Sequence, residues 1–282
     1  MAEGGSIINL GDLSKAATVL IEKVSSAVGI LFEPTRIKRK ARAEADAELM
    51  KAVVGIQISE MQRRVLEGLM VREVRRQENI ESITAQAARA LPNDAKVEAL
   101  EEDWVAHFFK QCDTVSDKQM QSLWARLLAG EATCPGTFSK RTVGFVSTFD
   151  RKDAELFTNF CQFVWLIDGP TPLIYGYTQE IYAKQGISYQ SLAHLGEIGL
   201  VSHSGSRAYT CSMHVSDVCV DYFDKRVFIK FRPDTGNTVS TGEAVLTSIG
   251  RELAPICGAA PNMEFFDFVV QKWISQGHKV IW

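Results

Sequence analysis

Residues 116–131, SDKQMQSLWARLLAGE, carry the clearest periodicity in the chain. Met120, Leu123, Trp124, Leu127 and Leu128 recur at three- and four-residue spacing, which puts them on one face of an α-helix. Ser116 followed by Gln119 has the form of a capping box, and Gly130 supplies a helix stop. An apolar face this broad needs neighbours to bury it. What surrounds this helix therefore decides the fold class.

Toward the C-terminus, the turn CPG at 134–136 leads to a helix capped by Ser139 and running through Val146. Asp150 opens the next one, in which Ala154, Phe157, Phe160, Cys161 and Val164 keep helical spacing. In the other direction, Thr35 to Leu91 contains no proline and is rich in strong helix formers. Ser59 with Gln62 forms another capping box, so a helix restarts there. Val65, Leu69 and Val71 sit among Arg63, Arg64, Arg72, Arg75 and Arg76, interleaved with Glu60, Glu67, Glu73 and Glu78. That pattern fits a salt-bridged helical surface, closed by Pro92-Asn93-Asp94.

The texture changes beyond Asp168. GPTPLIYGY (169–177) is rich in turns, and GISYQSLAHLGEIGLVS (186–202) reads as a short helix running into a strand. RAYTCSMHV (207–215), VCVDYF (218–223) and VFIKF (227–231) have strand composition, the last two joined tightly at Asp224-Lys225. LTSIGRELAPIC (246–257) and NMEFFDFVVQKWIS (262–275) return to helix. The expected fold is mainly α with a C-terminal α+β unit. Its parts are an amphipathic segment (1–34), a basic cluster and helical arm (35–97), a helical module (98–166) and a winged-helix-like sensing or interaction domain (167–282).

Composition excludes several function classes. Of 282 residues 46% are hydrophobic and 23% charged, with a formal net charge of −3, so no global basic field invites nucleic acid. The six cysteines (Cys112, Cys134, Cys161, Cys211, Cys219, Cys257) contain no CxxC pair, and the five histidines contain no HxH or HxxxH pair. Met1–Asp12 lacks the pattern of a secretory leader, and reduced thiols in a cytoplasm are the expectation. Ser139 stands near Lys140 without SxxK spacing, and no phosphate-cradling glycine loop occurs. These observations predict a non-enzyme without cofactor or metal.

Residues 15–42, KAATVLIEKVSSAVGILFEPTRIKRKAR, hold the strongest functional signal. Projected at about 100° per residue, Ala17, Leu20, Ile21, Val24, Ala27, Val28 and Leu31 share one arc. Thr18, Glu22, Ser25, Ser26 and Gly29 fall on the opposite arc, which is small and nearly uncharged. As a lone membrane span the segment is short, and Glu22-Lys23 would lie in hydrocarbon at about 2.5–3.5 kcal/mol for a charge near the centre. An interfacial helix, or several copies turning the Thr/Ser/Gly/Glu stripe to a lumen, removes that objection. Arg36, Lys38, Arg39, Lys40 and Arg42 then suit anionic headgroups. The same apolar arc would equally pack against the rest of the chain, and the residues do not choose between the two.

INLGDLSKAATVLIEKVSSAVGILFEP (8–34), SDKQMQSLWARLLAGE, PGTFSKRT (135–142), LGEIGLVS (195–202) and LTSIGRELAPIC together resemble the bacterial domain-of-unknown-function 2806 family. LGEIGLVS and LTSIGREL are also similar, more weakly, to the abortive-infection alpha family of phage-defence proteins. The second resemblance implies a role in phage resistance. The expectation is an abortive-infection effector, cytoplasmic at rest, that senses a phage protein (a multimeric one would raise local concentration), forms a homo-oligomer and permeabilises the inner membrane. Leu20, Ile21, Val24, Ala27, Val28 and Leu31 would face lipid, with Thr18, Glu22, Ser25, Ser26 and Gly29 toward a lumen.

Two alternatives belong to other classes: a soluble DNA-associated regulator using 187–232, and a non-enzymatic scaffold. DNA is the disfavoured partner. SYQSLAHLGEIG has no Arg or Lys, and Asp217, Asp221, Asp224 and Asp234 offset Arg207, Lys225, Arg226, Lys230 and Arg232.

Overall fold

A computed structural model of the chain describes residues 14–29, 59–203, 208–232 and 237–282. Strands among them lie only beyond residue 163, so the chain is mainly α with a C-terminal α+β region. Two compact units divide between Ser147 and Thr148.

Unit 1 holds α1 (Lys15–Val28), α2 (Glu60–Ala90), α3 (Glu102–Cys112), α4 (Lys118–Thr133) and α5 (Lys140–Val146). The α4 face expected from periodicity is buried in full, from Met120 to Leu128, and packs on the C-terminal half of α2. Trp124 meets Phe108 of α3 edge-on at 5.1 Å, and Phe108 stacks on Trp104 at 5.2 Å. A buried amide pair fixes the register. Gln121 Nε2 donates to Asn79 Oδ1 at 3.1 Å, and Asn79 Nδ2 donates to the Asp113 carbonyl at 2.8 Å.

The ends of α4 differ from expectation. Asp117, not Ser116, is the cap, and its carboxylate accepts from the backbone N–H of Gln119 (3.0 Å) and Met120 (2.9 Å). A carboxylate at a helix N-terminus also faces the positive end of the dipole, so Asp117 outcompetes the neighbouring hydroxyl. Gly130 does not stop the helix, which continues to Thr133. It is a close-approach site, where a Cβ would lie 2.7 Å from the Phe138 ring. The caps at Ser59 and Ser139 are as expected: Ser59 and Gln62 form the reciprocal box, and Ser139 accepts from Thr142 N–H at 3.2 Å.

Unit 2 contains α6 (Arg151–Cys161), β1 (Val164–Leu166), β2 (Pro170–Pro172), α7 (Glu180–Ala183), α8 (Tyr189–Glu197), β3 (Val201–His203), β4 (Tyr209–Ser212), β5 (Asp217–Tyr222), β6 (Lys225–Lys230), β7 (Thr238–Gly242), β8 (Ala244–Leu246), α9 (Ser248–Leu253), α10 (Met263–Ser275) and β9 (Lys279–Ile281). The division between units thus falls before α6, whereas the change of sequence texture lies near 167. α6 belongs with the strands because it is bonded to that unit. Thr158 Oγ1 donates to the Cys257 carbonyl at 3.1 Å, and Asp153 pairs with His194 of α8 at 2.7 Å. Asp150 stands at the N-cap of α6 without a side-chain cap bond, and Val164 begins a strand instead of extending the helix. Phe163 and Trp165 are buried while Leu166 is exposed, which is strand alternation.

Five antiparallel strands form one sheet in the order β2-β1-β5-β6-β9. Its inner face, with Trp165, Tyr222, Val227 and Ile229, is covered by Phe265, Phe266, Val269 and Trp273 of α10. The β5–β6 hairpin turns through Phe223-Asp224, with Phe223 at φ 52°. Two further two-stranded ladders, β3–β8 and β4–β7, are nested in chain order around the β5–β6 hairpin. Ile174 bridges to Gly242, a position where any Cβ would strike the Ile174 carbonyl.

Candidate functional site

Helix α1 is built as the projection anticipates. Ser14 accepts from Ala17 N–H at 3.1 Å, and Gly29 closes the helix in the left-handed region at φ 70°. The two arcs separate cleanly. Ala16, Ala17, Leu20, Ile21 and Val24 are buried, and Ala27 and Val28 half-buried. Glu22, Ser26 and Gly29 are exposed, with Thr18 and Ser25 half-buried.

What the apolar arc meets is protein. α1 packs on α3 and α2, and Leu20 and Val24 have no exposed surface. Burial of Leu, Ile and Val side chains contributes about 1.5–3 kcal/mol each, so this docking is a substantial part of unit 1. Lys23 adds the polar contact that composition does not reveal. Its ammonium donates to the carbonyls of Glu98 and Leu100, both at 2.9 Å, at the short 3₁₀ turn Val97–Ala99. The charge that argued against a membrane span thus closes carbonyls at a turn terminus.

Leu31 and the headgroup cluster Arg36, Lys38, Arg39, Lys40 and Arg42 lie outside the described residues. α1 has 14 residues, about 21 Å at 1.5 Å per residue, against a hydrocarbon core of about 30 Å. No helix among the described residues is long and apolar enough to cross a membrane.

The second element is the first half of α2. Residues 60–75 are all exposed, although the stretch holds Met61, Val65, Leu66, Leu69, Met70, Val71 and Val74. Five of these, Met61, Val65, Leu66, Leu69 and Met70, fall within about half the helix circumference, while Glu60, Arg63, Arg64, Glu67 and Arg75 occupy the remainder. Ion pairs exist, as Arg63–Glu67 (3.7 Å) and Arg76–Glu73 (3.6 Å) show, and Arg76 also reaches Asp113 at 2.8 Å. Arg63–Glu67 lies outside the apolar arc, whereas Arg72, Glu73 and Arg76 fall within it. Val71 and Val74 fall on the charged side, so the two faces are only partly separated. LEGLM at 66–70 carries the missed signal: apolar residues at consecutive helical turns with no described element over them.

In unit 2 two of the hairpin cations are matched by carboxylates, and Lys225 lies over the Phe266 ring. Arg226 forms a forked pair with Asp221 (2.9 and 3.3 Å), and Lys230 lies 3.7 Å from Asp217. The guanidinium holds the Asp221 carboxyl below the usual carboxylate range. Helix α8 exposes Tyr189 and Gln190 and carries no Lys or Arg. Among the described residues no group of three or more His, Cys, Asp or Glu side chains is placed to hold a metal.

A family model described as a protein of unknown function (DUF2806) matches residues 63–270, from the first turns of α2 into α10. No curated protein and no solved structure matches the chain.

Proposed function

The chain belongs to the DUF2806 family, and from that premise we propose that it is a phage-defence effector that stores a membrane-active helix against its own helical unit. α1 is the stored helix and the exposed half of α2 is the surface through which copies assemble. The observation that carries the reading is the double use open to one apolar arc: Leu20, Ile21 and Val24 are packed on α2 and α3, and lipid is the other apolar environment able to take them. Released copies would turn Thr18, Glu22, Ser25, Ser26 and Gly29 to a lumen, with Arg36–Arg42 gripping headgroups of the inner membrane. The trigger is a phage protein sensed by residues 98–282, and the protein rests in the cytoplasm. The defence setting itself rests on the weaker resemblance to the abortive-infection alpha family.

The test is leakage of dye from anionic liposomes by assembled protein, beside protection of cells against phage. A chain lacking residues 1–34 that still protects overturns the membrane mechanism.

Unit 2 supports a winged-helix-like reading in part. α7 and α8 are followed by the β3–β8 ladder, and Ile174 bonds the β7–β8 segment from the other side (Ile174 N–H to Thr241 O, 3.0 Å; Glu243 N–H to Ile174 O, 2.8 Å). The ribbon departs from a simple wing, since the chain leaves it after β4 to build β5–β6 and returns at β7. With no Arg or Lys on α8 and with Arg226 and Lys230 paired to carboxylates, a protein-contacting role fits better than a DNA reader. Salt-dependent retention on DNA, abolished by alanine at Arg207, Arg226, Lys230 and Arg232, would favour the regulator instead.

A further inference from the structure

Unit 2 contains a polar cavity of about 390 Å³ that the membrane reading does not use. Tyr175 follows β2, Ser240 and Gly242 lie on β7, Glu243 links β7 to β8, and Lys272 and Gln276 come from the end of α10. The backbone that carries Glu243 is fixed tightly. Its N–H donates to the Ile174 carbonyl at 2.8 Å, and Gly242, at φ 85°, leaves no room for a side chain at that crossing.

Three polar groups converge here without satisfying one another. Glu243 Oε2 is inaccessible to solvent and has no hydrogen-bond partner. The Tyr175 hydroxyl is likewise shut off from solvent, with the Trp273 indole beside it. Lys272 Nζ sits 4.6 Å from the centre of the Tyr175 ring, and no ion pair with a carboxylate joins it among the described residues. A buried polar atom left unpaired is costly, and more so when it is charged. Burial also raises the Tyr175 phenol far above its ordinary range, so it stays a proton donor at neutral pH. The cavity thus presents a carboxylate oxygen without a hydrogen-bond partner, a neutral phenol donor and a cation that rests on the phenol ring and is joined to no carboxylate among the described residues. Its volume lies near the lower end of the roughly 300–1,000 Å³ typical of small-ligand sites.

We propose that this cavity binds a small anion that also carries an amino group. Glu243 accepts from the amino N–H, while Lys272 pairs with the ligand's carboxylate or phosphate and Tyr175 donates to the same group. Two sources share that chemistry, a free α-amino acid and a nucleotide with an exocyclic amine. The site lies wholly within unit 2, so it stands whether or not α1 acts on membranes.

The experiment is calorimetric titration of the full chain with glutamate, with AMP and with inorganic phosphate. One of the two amino-bearing anions is expected to saturate with a Kd between about 10 μM and 1 mM, and phosphate alone to bind at least about tenfold more weakly. Saturation by glutamate marks the amino-acid source and saturation by AMP the nucleotide source. Glu243→Gln weakens that probe about tenfold or more and leaves phosphate unchanged, whereas Lys272→Met weakens both. Thermal melts verify that each variant is folded, and Glu243→Gln, which removes the unpartnered charge, melts no lower than the parent. Absence of saturation by glutamate and AMP at about 10 mM, equal affinity for phosphate, or binding indifferent to both substitutions overturns the proposal.

Discussion

The ammonium of Lys23 donates to the carbonyl oxygen of Leu100 at 2.9 Å, joining α1 to a turn far along the chain. A second bond, to Glu98 O, has the same length. Hydrogen bonds to a charged group contribute about 1.5–3 kcal/mol when shielded, and less where water competes, as at this half-buried position. Lys23→Met keeps the aliphatic stem and removes both bonds. Amide exchange in α1 should accelerate about tenfold, the equivalent of 1.4 kcal/mol, while α4 is unchanged. If α1 is the stored effector, the variant also leaks liposomes at lower protein concentration than the parent. Unchanged exchange in α1 would show that apolar packing alone holds it.

Glu131 organises the loop between α4 and α5. Its carboxylate accepts from Gly136 N–H (2.6 Å) and Phe138 N–H (2.8 Å), and the Phe138 carbonyl accepts from Trp104 Nε1 at 2.9 Å. The Phe138 ring then fills the space over Gly130. Gly130→Ala should destabilise unit 1 by about 1–3 kcal/mol through overpacking, and Glu131→Ala by at least as much through two lost charge-assisted bonds. Both act through Phe138, so the double variant should fall short of the sum. Denaturant unfolding of the two singles and the double checks this, and strict additivity would disprove the shared route.

These two sites show where sequence reading stops. The α4 face, the Ser59 and Ser139 caps, the β5–β6 hairpin and α10 all announce themselves through periodicity or turn chemistry. β1, β2, β8 and β9 have three residues each, too few for a period of two to register, and β2 even carries two prolines. Gly130 looks like a stop because a small residue leaves the same mark whether it ends a helix or admits a ring. The arcs of α1 were legible, but the surface they meet was not. The partners of Lys23 are backbone carbonyls, which leave no trace in residue type.

His278 should make unit 2 sensitive to mild acid. It is buried, Nδ1 accepts from Arg232 N–H at 3.3 Å, and the ring meets Phe231 edge-on at 5.2 Å. Burial lowers its pKa below the ordinary 6.5. The unfolded chain therefore binds the proton first as pH falls, and stability declines from about pH 6.5 down through the folded value. Asp221, whose pKa is lowered by Arg226, has its effect in a separate window below the ordinary carboxylate value of 3.8. Thermal melts between about pH 8 and pH 5 should show a falling Tm that His278→Gln flattens. A slope that survives the substitution assigns the sensitivity elsewhere.

The exposed half of α2 offers the most direct test of assembly. Leu66 and Leu69 are 39% and 43% exposed, so replacing them disturbs little within unit 1, whose core begins at Asn79 and Ile80 on this helix. An apolar face of this kind gains by pairing with another, at about 25 cal/mol per Å² of apolar surface removed from water. Charges placed on it should therefore oppose association while sparing the fold. Leu66→Glu with Leu69→Glu is expected to weaken self-association at least about tenfold, or 1.4 kcal/mol, with Tm within about 2 °C of the parent. Sedimentation equilibrium across a concentration series reads the first effect and a thermal melt the second. Equal association by parent and variant would move the assembly surface off the arm, and the liposome leakage of such a variant would then be unchanged as well.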